Sequence, residues 1–408
     1  MNTTDNNTAS KSSLGPIEFI SMFALITSLV ALSIDSMLPA FPAIAQSFAL
    51  TDAKDTQFVI SALVLGMVFG ELMFGPLSDT KGRKYAILLG MGIFCIGCVI
   101  AMNAQTFEWL LVGRIIQGFG VSGPKIASRA LIRDQYTGAA MARIMSFIMM
   151  FFILVPMIAP SLGQLIITFA NWRMIFAFFL FMTVSIAIWF TIRQAETLTK
   201  DKRIPFSIKA ISKASKKILL EPVIMAYAIT AGILFGALLL FIGMAQAIFQ
   251  DIYAIVEHFP LYFAALASGV GVSSFLNGKL VMRYGMYKLS MSALIALGIF
   301  SSLLFIVSIL SDGQPSLFWF MLISFLCFCC IGILFGNLTA MAMETLGDIA
   351  GLGASIVASS SSLVSVIFSV IAGRFYNQTT IPLALGFLCA AGFGMYLVYS
   401  AEQRKAAM

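Results

Sequence analysis

Five ionisable residues stand inside long apolar runs of this chain: Asp35, Glu71, Arg114, Lys125 and Arg129, with Glu18 at the edge of the first run. Charge held in an apolar interior is costly, so each is a candidate for function. Asp35, just before Pro39, is a carboxylate able to take up and release a proton where water is scarce. The alternative is a helix-end carboxylate facing water. Arg114 cannot easily shed its charge and needs a partner or water. Moving it towards or away from a carboxylate would release or load a proton; the alternative is a structural hydrogen bond to backbone carbonyls. On a helix, Lys125 stands roughly 20° round from Arg114 and about 16 Å further along, and Arg129 adds only about 40° more. The three cations therefore form one stripe, and Glu71 lies at a depth similar to Lys125. Two readings stay open. Glu71 pairs with Lys125 or Arg129 as a buried structural ion pair, or at least one cation remains free to attract an anionic solute.

The elements that carry these residues follow from composition. The chain has 408 residues, 60% hydrophobic and 11% charged, with 37 Phe and 24 Met. So few charges cannot cover so much apolar surface in water, which excludes a soluble enzyme, a disordered chain and a nucleic-acid binder. A membrane-crossing helix needs about 20 apolar residues, and twelve runs qualify: 17–38, 56–77, 85–104, 108–131, 144–168, 173–192, 223–244, 260–282, 288–310, 317–340, 350–372 and 381–400. Turn chemistry separates them, as at Ser78-Asp79 and Ser311-Asp312-Gly313. The expected fold is an all-α membrane protein of twelve transmembrane helices. The six Cys lie in apolar runs and read as small packing residues, not as a metal or redox set. His258, the one histidine, falls in a loop. No nucleophile–base set, phosphate-binding loop or metal-ligand cluster is present in the sequence, so the expectation is no enzyme, no metal, no cofactor, and an ion gradient in place of ATP.

Twelve spans put both termini on one side. Of the 25 Lys and Arg, nineteen fall on the segments of that side, three on the opposite segments and three within spans. The excess of positive charge marks the cytoplasmic side, so both termini are expected there. The first 15 residues carry no signal-peptide core. The longest polar segment, 193–221, joins residues 1–192 to 222–408, each half holding six spans. Its eight cations interleave with Ile208, Ile211, Ile218 and Leu219. It is either an amphipathic helix on anionic lipids or a solvated linker.

The halves repeat. Gly75-Pro-Leu-Ser-Asp79-Thr-Lys-Gly82-Arg83-Lys84 follows span 2, and Gly278-Lys-Leu-Val-Met-Arg-Tyr-Gly285-Met-Tyr-Lys288 follows span 8. Gly75, Leu77 and Gly82 align with Gly278, Leu280 and Gly285, while Asp79 and Arg83 align with Met282 and Met286. A parallel repeat of two six-helix halves is the expected product. The first loop resembles the signature loop of the major facilitator superfamily, and Arg114-Ile-Ile-Gln117-Gly118 resembles its fourth-helix motif. Asp35 to Pro42, Ala159-Pro160-Ser-Leu-Gly163 and Trp172-Arg173-Met-Ile-Phe176 resemble the Bcr/CflA branch of drug:proton antiporters.

That resemblance implies the major facilitator fold, a rocker-switch with a central cavity, and proton-driven export of an amphipathic small molecule from a monomer in the bacterial inner membrane. It places proton coupling on Asp35 and Arg114. Lys125, Arg129, Glu71 and Gln117 would contact substrate. Lys125, Arg129 and Glu71 depart from the branch, where apolar or small residues and Gln are usual. Gly75, Asp79, Gly82, Arg83 and Asp134 would form a gate, with Asp79 facing the start of span 11 near Ala350-Gly351 and Arg83 pairing with Asp134. Pro156, Pro160 and Gly163 would form a hinge. The adaptable Phe and Met surface suits flat or flexible ligands. The first alternative is export or uptake of an endogenous anionic metabolite, such as a carboxylate siderophore. The second is a non-transporting sensor with this fold, for which a disabled loop is expected, whereas the first copy is intact.

Overall fold

The computed structural model describes residues 14–136, 138–203, 207–344 and 350–407. Its regular elements are helices: α1 (Pro16–Asp35), α2 (Phe41–Ser47), α3 (Phe58–Lys81), α4 (Arg83–Met102), α5 (Phe107–Gln135), α6 (Gly138–Phe169), α7 (Arg173–Arg193), α8 (Ile208–Leu219), α9 (Pro222–Ala247), α10 (Phe259–Tyr284), α11 (Met286–Leu310), α12 (Leu317–Glu344), α13 (Ala350–Gly373) and α14 (Ile381–Ala407). Ten helical segments are long and apolar enough to cross a membrane, and α6 adds the apolar stretch Leu154–Phe169. The remaining long helix, α5, carries Arg114, Lys125 and Arg129, which lower its hydropathy.

Several helices overrun the predicted spans, because a helix continues into the polar layer wherever its backbone bonds can still close within it. One boundary moves for a definite reason. The break expected at Ser78-Asp79 lies instead at Gly82, and α3 runs on to Lys81. Gly82 has φ +114°, and the carboxylate of Glu196 occupies the space that a β-carbon there would fill. Only glycine meets both conditions at low cost.

Within the first half, α5 packs on α3 and α4, α1 on α6, and α4 on α7; within the second, α9 packs on α13 and α14, and α12 on α10 and α11. The halves meet mainly through α3 against α13 and α6 against α10. The start of α1 and the end of α14 share one face, the terminal face. There Glu18 near the start of α1 accepts two hydrogen bonds of 2.7 Å from Arg193 at the end of α7, and Lys405 of α14 pairs with Glu344 of α12 at 2.9 Å. On the opposite face Asp55 pairs with Arg374 across the halves at 3.1 Å. The linker helix α8 rests on α9 and α13. Its Lys209, Lys213, Lys216 and Lys217 are exposed and Ile218 is buried; the side chains of Ile208 and Ile211 lie outside the described residues.

Candidate functional site

The cation stripe is built by two parallel helices in register. Arg114 Nε donates to the Val59 carbonyl at 2.9 Å. A β-carbon on Gly118 would collide with the Leu63 carbonyl. Ser122 Oγ donates to the Met67 carbonyl at 3.3 Å, and Lys125 Nζ donates to Glu71. Partners on α3 advance by four residues while those on α5 advance by three or four, the spacing of one helical face. Glycine at the close approach lets the backbones come together, and this brings the long polar side chains beyond it within reach.

Arg114 and Asp35 occupy the end of the stripe nearer the opposite face. Arg114 is fully buried. Besides Val59 it donates to the Ser33 carbonyl at 2.7 Å and to Gln117 Oε1 at 2.8 Å, and it stands 6.0 Å from the centre of the Phe176 ring. These are the contacts of the structural alternative: carbonyls, an amide and an aromatic face hold the guanidinium, and it makes no ion pair with Asp35. Gln117 is also fully buried and spends its amide N–H on Cys98 Sγ at 3.0 Å, so in this conformation it is closed to a ligand. Cys98 thereby acts as an acceptor as well as a packing group. Asp35 ends α1 at 4% exposure, and among the described residues its side chain has no hydrogen-bond or ion-pair partner. Next to it, Ser36 Oγ is buried and unpartnered among the described residues.

Towards the terminal face, Glu71 is fully buried and bound on both oxygens. One accepts from Lys125. The other accepts from Ser362 of α13, in the opposite half, at 2.9 Å. Lys125 keeps a quarter of its side-chain surface accessible. Arg129, one turn further, is exposed although it shares the α3-facing stripe. No described residue bonds to it. Both expected features are therefore present together: a buried ion pair, and a cation left over.

At the terminal end of α3, Arg83 gathers the loop. It pairs with Asp79 one turn earlier, donates to Asp134 Oδ2 at 2.9 Å and donates to Ser78 Oγ at 3.1 Å. Gly75 lies against Ser355 of α13, where a β-carbon would collide with the serine hydroxyl. The expected contact of Asp79 with the start of α13 falls on side chains 345–351, outside the described residues. Glu196, just past α7, accepts from the N–H groups of Arg83 and Lys84 at 2.9 and 3.0 Å, and from Thr197 and Leu198 at 2.9 and 3.0 Å. A carboxylate at a helix start satisfies otherwise unpaired N–H groups and complements the dipole.

Comparison with known proteins decides what this arrangement belongs to. The model of the Major Facilitator Superfamily matches residues 23–369. The chain belongs to the major facilitator superfamily. It is 28% identical over 392 residues, 94% of its own length and 95% of the other's, to a Bacillus subtilis (strain 168) protein described as an uncharacterized MFS-type transporter, YdgK. It is 27% identical over 369 residues, 90% and 91% of the two chains, to a bicyclomycin resistance protein homolog of Haemophilus influenzae. The latter agrees with the Bcr/CflA-type motifs. In fold it resembles a D-xylose-proton symporter, with a TM-score of 0.75 at 13% identity over 93% of this chain and 97% of that one. The protein is a multi-pass membrane transporter of the superfamily and not an enzyme.

In this major facilitator chain, α6 runs unbroken through Pro156 and Pro160. Gly163 is the residue of that motif that makes a decisive contact: it lies on the Ser36 carbonyl, leaving no room for a β-carbon. The motif thus bears directly on the turn that follows Asp35. Two participants escape a reading of single helices. Ser362 reads as one more small packing residue of span 11, and Glu196 as one acid among linker cations; its place one turn beyond α7 is the signal that could have found it. Glu196→Ala removes the cap of α4 and frees the linker head, at about 1 kcal/mol. Trypsin should then cut faster at Lys200, Lys202 and Arg203 while the spans stay protected. Unchanged cleavage would show that the clamp does not restrain the linker.

Proposed function

We propose that this transporter exports an amphipathic small molecule in exchange for protons, by alternating access, across a bacterial inner membrane with both termini cytoplasmic. The observation that carries the reading is Asp35, a carboxylate closed off from water with no described partner. Such a charge is relieved by a proton or by a cationic ligand, and two ligands that compete for one acid drive each other's exchange. Gly163 at Ser36 and Arg114 at the Ser33 carbonyl tie that acid to α6 and α5, so its occupancy can be felt by elements that move. Two separate sets of ion pairs, Arg83 with Asp79 and Asp134 on the terminal face and Asp55 with Arg374 on the opposite face, supply latches that can open in turn. The half-exposed Asp55–Arg374 pair is worth about 0.2–1 kcal/mol, weak enough to break in every cycle. Phe and Met side chains supply the apolar wall, and the exposed lysines of α8 suit an anionic lipid surface.

The decisive experiment uses proteoliposomes holding a pH dye, to which cationic, neutral and anionic amphipaths are added. Proton efflux or uptake that requires both protein and compound is expected. No proton movement with any compound would sink the exchanger and return the sensor reading.

A second reading is favoured by Arg129, an accessible cation without a described partner. Two cations beside one acid leave the cluster net positive, so a cargo bearing one carboxylate-type group would complete it. In that case Arg129→Ala should cut transport of anionic compounds about tenfold, the cost of about 1.4 kcal/mol of lost binding, and leave cationic ones near their original rate. Equal loss for both classes would count against an anion subsite.

A further inference from the structure

We propose that Glu71 is a positioning residue that couples cargo at the cation stripe to the contact between the two halves. It rests on the anionic-cargo reading given for Arg129. Glu71 lies mid-way along α3, fully buried, with each oxygen committed to a different half: Lys125 on α5, and Ser362 on α13 at 2.9 Å. The neighbouring contact between the halves is neutral, Ser359 Oγ donating to the Val68 carbonyl at 2.7 Å. A hydrogen bond to an ionised acceptor is roughly twice as strong as one to a neutral acceptor. Among these described contacts, the Ser362 bond is therefore the one whose strength depends on where the charge of Glu71 is held.

Lys125 has three N–H donors and is partly accessible, and Arg129 stands about 6 Å further along the same face. An anionic group settling on Arg129 also reaches Lys125 and repels the Glu71 carboxylate. Two acids then share two cations. Repelled by the negative charge of the cargo and deprived of part of Lys125, the Glu71 carboxylate turns away from the stripe, its bond to Ser362 loses its present geometry, and α13 loses its charged anchor on α3. A ligand shifts a conformational equilibrium only by its differential affinity for the two states. Here the difference arises because the cargo competes for a cation whose present partner also holds the other half. Ordinary helix packing would put a serine and an acid near each other without this dependence on cargo.

The test is hydrogen–deuterium exchange of the full-length protein in lipid nanodiscs, followed in peptides of α3 and α13, with benzoate as the anionic probe. Saturating benzoate should speed exchange of those peptides in the wild type by about fivefold, the effect of losing one hydrogen bond. Ser362→Ala should reach that faster exchange without benzoate and gain nothing when it is added. Glu71→Gln, a second variant should the first fail to fold, should lose the response to benzoate. If benzoate still loosens α3 and α13 in Ser362→Ala, the coupling is wrong while the anionic reading stands. If the wild type ignores benzoate although Ser362→Ala exchanges faster, the anionic reading fails and the coupling with it. Ser362→Ala exchanging like the wild type overturns the proposal outright.

Discussion

Asp35→Asn should uncouple transport from the proton gradient. The substitution preserves shape, and α1 beside it stays pinned by Arg114 on the Ser33 carbonyl and by Gly163 on Ser36, so the protein should reach the membrane in normal amount. An amide does not titrate, so it cannot bind a proton on one side of the membrane and release it on the other. Gradient-driven flux should fall by about 5- to 150-fold, the usual span of a coupling free energy. Exchange of a labelled for an unlabelled neutral compound at equal pH, which needs binding and rocking but neither a proton nor a cation at Asp35, should persist. The two rates are measured on the same proteoliposomes. Gradient-driven flux at the wild-type rate would remove Asp35 from the mechanism, whereas loss of both rates together would point to a structural role.

The second large effect concerns the buried pair. Lys125→Ala strands a fully buried Glu71 whose other described partner is a neutral hydroxyl. Removing one member of a buried ion pair costs about 3–5 kcal/mol, and the lower end applies because Lys125 is partly accessible. A clear fall in the melting temperature of the detergent-solubilised protein is expected. Adding Glu71→Gln should restore most of it, since an amide needs no counter-ion. Glu71→Gln alone should be milder, because the stranded Lys125 can reach water. If Lys125→Ala melts with the wild type, Arg129 has taken over the acid, and the two cations are interchangeable partners. A double variant no more stable than Lys125→Ala would show that packing, not charge, explains the loss.

These effects sort by how far apart in the chain their causes lie. Hydropathy runs delimit the membrane helices, because burial of about 20 successive residues is a local property that each segment carries by itself. The stripe of Arg114, Lys125 and Arg129 was legible for the same reason: spacing along one helix determines which side chains share a face. Asp35, Glu71 and the Gly75–Lys84 loop stood out because charge is rare in such a chain. Which groups would meet was another matter. Glu71 could take either cation, and only the register of α3 on α5, with Gly118 letting the backbones close, gave it to Lys125 and left Arg129 free. Arg114 turned to the carbonyls of Ser33 and Val59 in place of a carboxylate, contacts fixed by how α1 and α3 lie against α5. Ser362 and Glu71 are separated by 291 residues, and Glu196 lies 113 residues from the helix start it caps. Periodicity constrains each helix alone, whereas such contacts depend on the relative rotation and depth of two helices, a property of the packed bundle.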